Sequence, residues 1–286
     1  ETGGRKLQRI FRRKKNRYGR QVARVTSVSY NETLGSLIYP GTQSGFNSLI
    51  PMVKQVEQLC HWNQKQRHRV LWRLDAGFGS DACINWNLAR DYQMVVKGHS
   101  NLRAKKVVQA QPQESWEKVG RARWVSVVSD GVRYARRTQT LAVKWRVPKG
   151  KEKCALVIHT LLDQEPSEVI RCYDARGAME AQIKEDKVGL QLVKRRKHHW
   201  HAQAAWVILT DIAHNLLTWT HPWMFDGSSF ETFGNLRLVQ DVLSIPGYME
   251  FGGAKGDKLI KVALQESHPY APEVAKCLNS LFKNLQ

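Results

Sequence analysis

The chain has 286 residues, 42% of them hydrophobic and ten of them Trp, ample for a packed core in one large domain or two smaller ones. Lys and Arg number 45 against 25 Asp and Glu, a net charge of +20. The five cysteines are odd in number and lack a C-x-x-C pair, which argues against a disulfide framework or zinc knuckle and fits a reducing cytoplasm.

The charge is concentrated in two places. Residues 1–20 hold nine basic residues and one acidic, and residues 97–153 hold fifteen basic against four acidic. Such confinement points to a polyanion-binding surface, with nucleic acid the first polyanion to consider. The plainer alternative is a soluble basic surface with no specific partner. The longest apolar stretch, Ala202 to Thr210, is too short for a bilayer, so no membrane partner is expected. The first thirty residues hold no apolar run of a secretory signal.

In chain order, residues 5–20 form a basic run, read as an arm or as a start foreign to the reading frame. Residues 21–39 predict two strands joined by a tight turn at Asn31-Glu32. Leu49, Met52, Val53, Val56, Leu59 and Cys60 recur at helical spacing, predicting a helix to Trp62. Val70 to Leu74 reads as a buried strand ending at Asp75, after which Gly77 and Gly79 break it. Ser80 or Asp81 caps a helix over 81–91, and Tyr92 to Val96 is the next strand. This order predicts a mixed sheet with helices packed on it.

Residues 97–153 read as short, strand-like pieces rich in Arg and Lys, among them 124–128 and 141–145, with Asp130-Gly131 as a hairpin turn. Cys154 to Leu162 returns as a buried strand. Pro166 opens a helix that Gly189 closes. A second helix over 201–219 is strongly apolar, and residues 226–286 form a mixed tail with an amphipathic last helix (Val274, Leu278, Leu281, Phe282). The expected divisions are 1–20, 21–96, 97–153, 154–225 and 226–286.

The helix from Pro166 carries Tyr173, Arg176, Glu180 and Lys187, spaced Y-x2-R-x3-E-x6-K. On one continuous helix, at about 100° per residue, they fall within roughly 60° of one another. An aromatic, a carboxylate and two cations on one stripe suit a site for a metal and a phosphate. The bland reading of Arg176 and Glu180 is a surface ion pair worth about 0.3 kcal/mol, in the poorer orientation. Asp75 taken alone is a turn residue, and Gly77 and Gly79 make a tight turn more readily than a phosphate cradle. His198, His199 and His201 follow four basic residues, a setting that repels a cation. Trp116, Trp124 and Trp145 lie among Arg and Lys, as residues that stack on an unpaired base do. Trp124 is slightly favoured for that role, and core packing accounts for at least one of the three.

With LDAGFGSD at a strand end upstream and a basic β segment between, the pattern resembles the DDE transposases of bacterial insertion sequences, in the subgroup with a Tyr-Arg-Glu-Lys signature. The stretch KVGLQLVKRRKHHWHAQAAWVILTDIAHNLLTW resembles the helical region after their catalytic glutamate, and the likeness covers roughly residues 21–285. It implies an α/β, RNase H-like fold: a mixed sheet with flanking helices, interrupted by a β-rich insertion, and a helical C-terminal region. It implies an enzyme using Mg2+, or Mn2+ in its place, that cuts transposon ends and joins the 3′ ends to target DNA. Double-stranded DNA would be the partner, a homodimer on DNA the working form, and the bacterial cytoplasm beside the nucleoid the setting.

By the same resemblance, Asp75 matches the second catalytic aspartate and Glu180 the catalytic glutamate, both as metal ligands. Tyr173, Arg176 and Lys187 match positions that hold DNA phosphates, and an insertion Trp, here Trp124, would stack on a flipped base. The family also needs a first aspartate on its first strand. Residues 1–74 contain no Asp, and their carboxylates are Glu1, Glu32 and Glu57. The expectation is an amino-terminally truncated or frameshifted transposase with impaired catalysis. The alternatives are a non-catalytic basic DNA-binding protein and a structure-specific nuclease of the same fold.

Overall fold

A computed structural model describes residues 8–10, 17–148, 150–193, 199–253, 256 and 258–284. It divides into two compact units. The described residues of 6–23 and 39–178 form a sheet unit, and those of 24–38 and 179–286 form a helical unit. The boundary crosses β2 (Arg17–Ser27) and β3 (Glu32–Pro40), the two strands expected around the Asn31 turn, which with β1 (Gln8–Ile10) make a three-stranded sheet. Asn31 has φ 55°, a left-handed conformation that Asn tolerates better than most residues.

In the sheet unit, α1 (Gly45–Leu59) begins at the N-cap Ser44, whose side chain accepts from Asn47 N–H. A one-turn α2 (Gln64–Arg67) leads into β4 (Leu71–Leu74), which pairs in parallel with β5 (Gln93–Lys97). Between them lies α3 (Asp81–Ala89), capped by Ser80 as expected. The sheet continues antiparallel in the order β4-β5-β9-β8-β7-β6, with β6 at Glu117–Gly120, β7 at Arg123–Val127, β8 at Gln139–Arg146 and β9 at Glu152–His159. The strands of the basic segment therefore extend the central sheet.

Alternation along the strands turns Val95, Val125, Leu141, Val143 and Val157 to one face, where Val169, Ile170 and Tyr173 of α5 (Pro166–Asp174) close the core. The other face meets α4 (Asn101–Ala110) through the buried Ala104 and Val108. That helix replaces the strand-like pieces expected there. Ser100 caps it by accepting from Arg103 N–H at 3.1 Å, and its short i, i+4 apolar pair is masked in sequence by Lys105 and Lys106.

The single helix expected from Pro166 to Gly189 is two. The first ends at Asp174; Arg176 N–H then bonds Tyr173 O and Ala178 N–H bonds Ala175 O, three-residue spacings, before α6 (Gly177–Val188) begins. Gly177 in the middle of this stretch favours the break. The continuous helix on which one stripe was expected for Tyr173, Arg176, Glu180 and Lys187 is therefore interrupted between Tyr173 and Glu180.

In the helical unit, α7 (Trp200–Phe225) is longer than expected and continues past Pro222. Beyond it, α8 (Asn235–Arg237) runs into a π turn at Leu238–Val242. Then β10 (Gly247–Gly252) and β11 (Lys258–Leu264) form a hairpin that the sequence did not signal, and α9 (Ala271–Asn284) is the amphipathic helix it did. Phe225, Phe230, Phe233, Leu238, Val242, Ala271 and Val274 make this unit's core, with Phe225–Phe230 and Phe230–Phe233 packed edge to face. A six-stranded mixed sheet, flanking helices and a helical C-terminal region make the fold RNase H-like. Among the described residues no helix is long and apolar enough to cross a membrane.

Candidate functional site

Asp75 lies at the carboxyl end of β4, where a parallel strand pair commonly presents ligand-binding groups. It caps a 3-10 turn over Ala76–Phe78, its Oδ1 accepting from Gly77 N–H at 2.8 Å. The turn is wedged in place. A Cβ on Gly79 would stand 1.9 Å from Lys97 O, and one on Gly45 would stand 2.0 Å from Gly77 O. The Gly79 contact explains that glycine of LDAGFGSD as a close backbone approach, and at Gly77 a Cβ would stand 2.9 Å from Asp75 Oδ1, both in keeping with the tight-turn reading. The second carboxylate of that motif, Asp81, is already engaged. Arg103 grips it through two 2.8 Å bonds and Tyr134 Oη donates at 3.1 Å, and Arg103 holds its carboxyl below the usual range.

Tyr173 is buried in the sheet unit's core, and the Arg176 guanidinium lies 5.6 Å from its ring centre. One turn of chain away, Arg73 donates to Cys172 O at 3.1 Å, tying the strand of Asp75 to the helix of Tyr173 within one unit. Tyr173 and Arg176 line a cleft of about 400 Å³ with Lys97, Arg123, Trp145 and Arg146. Lys97 Nζ and the Arg123 guanidinium stand 5.7 and 6.0 Å from the Trp145 ring. Asp174, bonded to Arg123, is the cleft's one carboxylate, against four cations. Chemically it offers cations for a phosphate and an aromatic face for a base.

Trp124 is not in the cleft lining. It pairs across the sheet with Lys144, so alternation turns it away from the side of Val143 and Trp145, and Arg146 lies 5.8 Å over its ring. Trp116 sits under Lys144 Nζ at 3.9 Å. The signal for Trp145 was present in sequence: Leu141, Val143 and Trp145 alternate on β8, and the first two are core residues.

Glu180 and Lys187 belong to the helical unit. They lie seven residues apart on the exposed face of α6, two turns apart and nearly in line. The opposite face is held by a buried charge network that sequence reasoning missed. Arg24 bonds Asp186 through Nη1 and Asp211 through Nη2 at 2.6 Å, while its Nε donates to Ser36 Oγ at 3.0 Å. Ser36 Oγ donates to Asp211 at 3.0 Å. His214 Nδ1 lies 2.9 Å from the other Asp186 oxygen, and its Nε2 lies 3.1 Å from Asn31 O. Burial pushes the Asp211 carboxyl up, opposed by Arg24. A signal existed: Asp211 is the one carboxylate of a largely apolar helix, a setting that demands a partner.

His199 and His201 are described without a metal-like cluster around them, and His198 with the Lys194–Lys197 run lies outside the described residues. So do residues 1–7 and 11–16 of the expected basic arm. Among the described residues no group of three or more His, Cys, Asp or Glu stands ready to hold a metal. The carboxylates Asp75 and Glu180 are hard oxygen donors of the kind Mg2+ takes, right in chemistry and short in number.

The strand-end acid, the cationic aromatic cleft and the RNase H-like sheet together describe a DNA-processing class of protein. The sequence model of the transposase DDE domain, group 1, matches residues 31–286, and the chain belongs to that family. No curated protein matches the chain. Family membership carries a DNA substrate and a general dependence on divalent metal ions.

Proposed function

We propose that the chain acts on transposon ends of the Tyr-Arg-Glu-Lys kind, cutting DNA and joining the freed 3′ end to target DNA. The observation that carries this reading is the cleft itself: two of the four signature residues, Tyr173 and Arg176, share it with Lys97, Arg123, Trp145 and Arg146. Arg176 and Arg123 would grip backbone phosphates through paired N–H donors, and Lys97 would add a point charge. Trp145, in the cleft lining, is better placed than Trp124 to stack on an unpaired base.

Asp75 and Glu180 would hold a Mg2+, or a Mn2+ in its place, which supplies Lewis-acid stabilisation and an acidified attacking oxygen. The tight turn after Asp75 holds its Oδ1 with the Gly77 N–H, so Oδ2 would be the oxygen left for a cation. The buried network fixes the helix of Glu180 and leaves Lys187 on the same exposed face for a phosphate.

A second reading, a DNA-binding protein without cleavage, is favoured by one observation. Within the sheet unit, Glu57 is committed to Arg90, Arg67 and Tyr92, and Asp81 to Arg103 and Tyr134, which draws both away from sharing a metal with Asp75. Incubating the full chain with supercoiled plasmid, a labelled blunt duplex with free 3′ ends, and Mg2+ separates the readings. Nicking with transfer of label to plasmid, lost in Glu180→Gln, supports the transposase. Binding with no nick at any metal concentration supports the second reading, and nicking without joining supports a nuclease.

A further inference from the structure

Beside α9 the helical unit leaves a groove of about 680 Å³. One wall is β11, and the other is a flank of α9 with Ala271, Ala275, Leu278 and Phe282. Every residue from Leu259 to Leu264 lines it. Neighbouring side chains of a strand point to opposite faces, so a groove lined by a whole run of them follows the strand's edge and not one of its faces. That edge is open. Among the described residues this sheet has two strands, and β11 pairs with β10 on its other side. Alternate backbone N–H and C=O groups of β11 therefore point into the groove.

What such an edge accepts is another strand, and proteins guard an exposed one with charges, prolines or bulges. On β11 these devices end at Lys261: Lys258 and Lys261 are its charges, and the register slips beside Ile260. Val262, Ala263 and Leu264 carry none. Across the groove, Ala271 and Ala275 are small and leave room for the alternate side chains of an added strand. Ile260 and Phe282, 62 and 40% exposed, flank it with apolar surface. The charged lining residues are Lys261 and Glu266. Lys258 joins Lys261 on a strand that has no carboxylate, in a chain of net charge +20, so an acidic segment is drawn in and a basic one repelled. Phosphates accept hydrogen bonds and donate none, so a nucleic acid would leave the C=O groups of this edge unmet. A peptide backbone meets both kinds of group.

We propose that the groove between β11 and α9 takes an extended acidic segment of another protein, added as a third strand to the β10–β11 hairpin, with alternate apolar side chains against Ala275, Leu278 and Phe282. The inference does not depend on catalysis, and its test does not either.

The probe is a fluorescein-labelled peptide of about eight residues, valine alternating with glutamate or threonine. Anisotropy with the full chain, without DNA, is expected to show saturable binding in the micromolar range. Methylating one alternate set of the peptide's backbone nitrogens is expected to weaken binding by about tenfold or more, and methylating the other set to change it little, because one set alone faces β11. A peptide of the same composition with its valines and glutamates in separate blocks should also bind about tenfold more weakly. Ala275→Trp, which fills the groove from the helix side, should abolish binding. If that variant does not fold, hydrogen exchange of the unsubstituted chain decides, with the amides of residues 259–264 slowed by the peptide. No saturable binding, equal binding of the methylated or block peptides, or peptide protection elsewhere in the chain would each overturn the proposal. So would protection of residues 259–264 by a DNA duplex or by self-association of the chain but not by the peptide.

Discussion

In the sheet unit, β8 sends Leu141 and Val143 to a face closed by α5, and both are fully buried. In the helical unit, α7 sends Leu209, Ile212 and Leu216 outward and buries Asp211 and His214 instead. What separates them is what lies inside: an apolar helix in one case, the Arg24 guanidinium with its carboxylates in the other. A buried cation cannot be met by leucine, so the helix that meets it turns Asp211 and His214 inward and leaves Leu209, Ile212 and Leu216 on its outer face.

Removing one carboxylate gives the widest break between the two regions. Asp186→Ala strips the buried Arg24 of one of its two carboxylates and His214 of its Nδ1 partner, and a loss of about 3–5 kcal/mol is expected in urea unfolding. The half-exposed Arg103–Asp81 pair of the sheet unit should cost less than about 1 kcal/mol on Arg103→Ala. Truncating leucine reverses the ranking. Leu141→Ala opens a cavity in the sheet core worth about 2–5 kcal/mol. Leu216→Ala, on the exposed face of α7, should shift stability by less than about 0.5 kcal/mol.

Acid sharpens the comparison from the sheet side. His159 ends β9 fully buried, and burial pushes its pKa down to about 4 from 6.5. Between those values the unfolded chain takes up a proton that the folded chain refuses. Stability therefore falls as pH drops below 6.5 and levels off below about 4, by about 3 kcal/mol in all. Urea midpoints measured across this range should flatten in His159→Leu if this group is the cause. The remaining effect, on binding rather than stability, concerns the cleft. Trp145→Ala should weaken binding of a frayed-end duplex by ~1–3 kcal/mol, and Trp124→Ala by much less, in fluorescence anisotropy at fixed salt.

The elements that read clearly in sequence are those where one signal acted alone. Ser80 before an apolar helix, the valines around Asn31, and VLWRL running into glycines all landed within a few residues of the strands and helices observed. The failures came where two signals competed. Lys105 and Lys106 hid the Ala104–Val108 pair of α4, and the unbroken pattern from Pro166 to Lys187 hid the turn at Gly177. The direction of α7 was not legible, because its apolar residues mark a face without saying that Arg24, far away in sequence, would claim the other. The site was legible at the level of residue type. Tyr173 and Arg176 share a cleft, while alternation on β8, a signal not used, selects Trp145 over Trp124 for its wall.

The most direct test of the proposed chemistry does not need turnover. Fe2+ taking the place of Mg2+, with ascorbate and peroxide, cuts a polypeptide backbone beside the residues that bind it. If Asp75 and Glu180 hold one cation, fragments should end near both positions, should disappear with excess Mg2+, and should be lost together in either Asp75→Asn or Glu180→Gln. Cuts near one position that persist when the other is substituted would contradict a shared metal site.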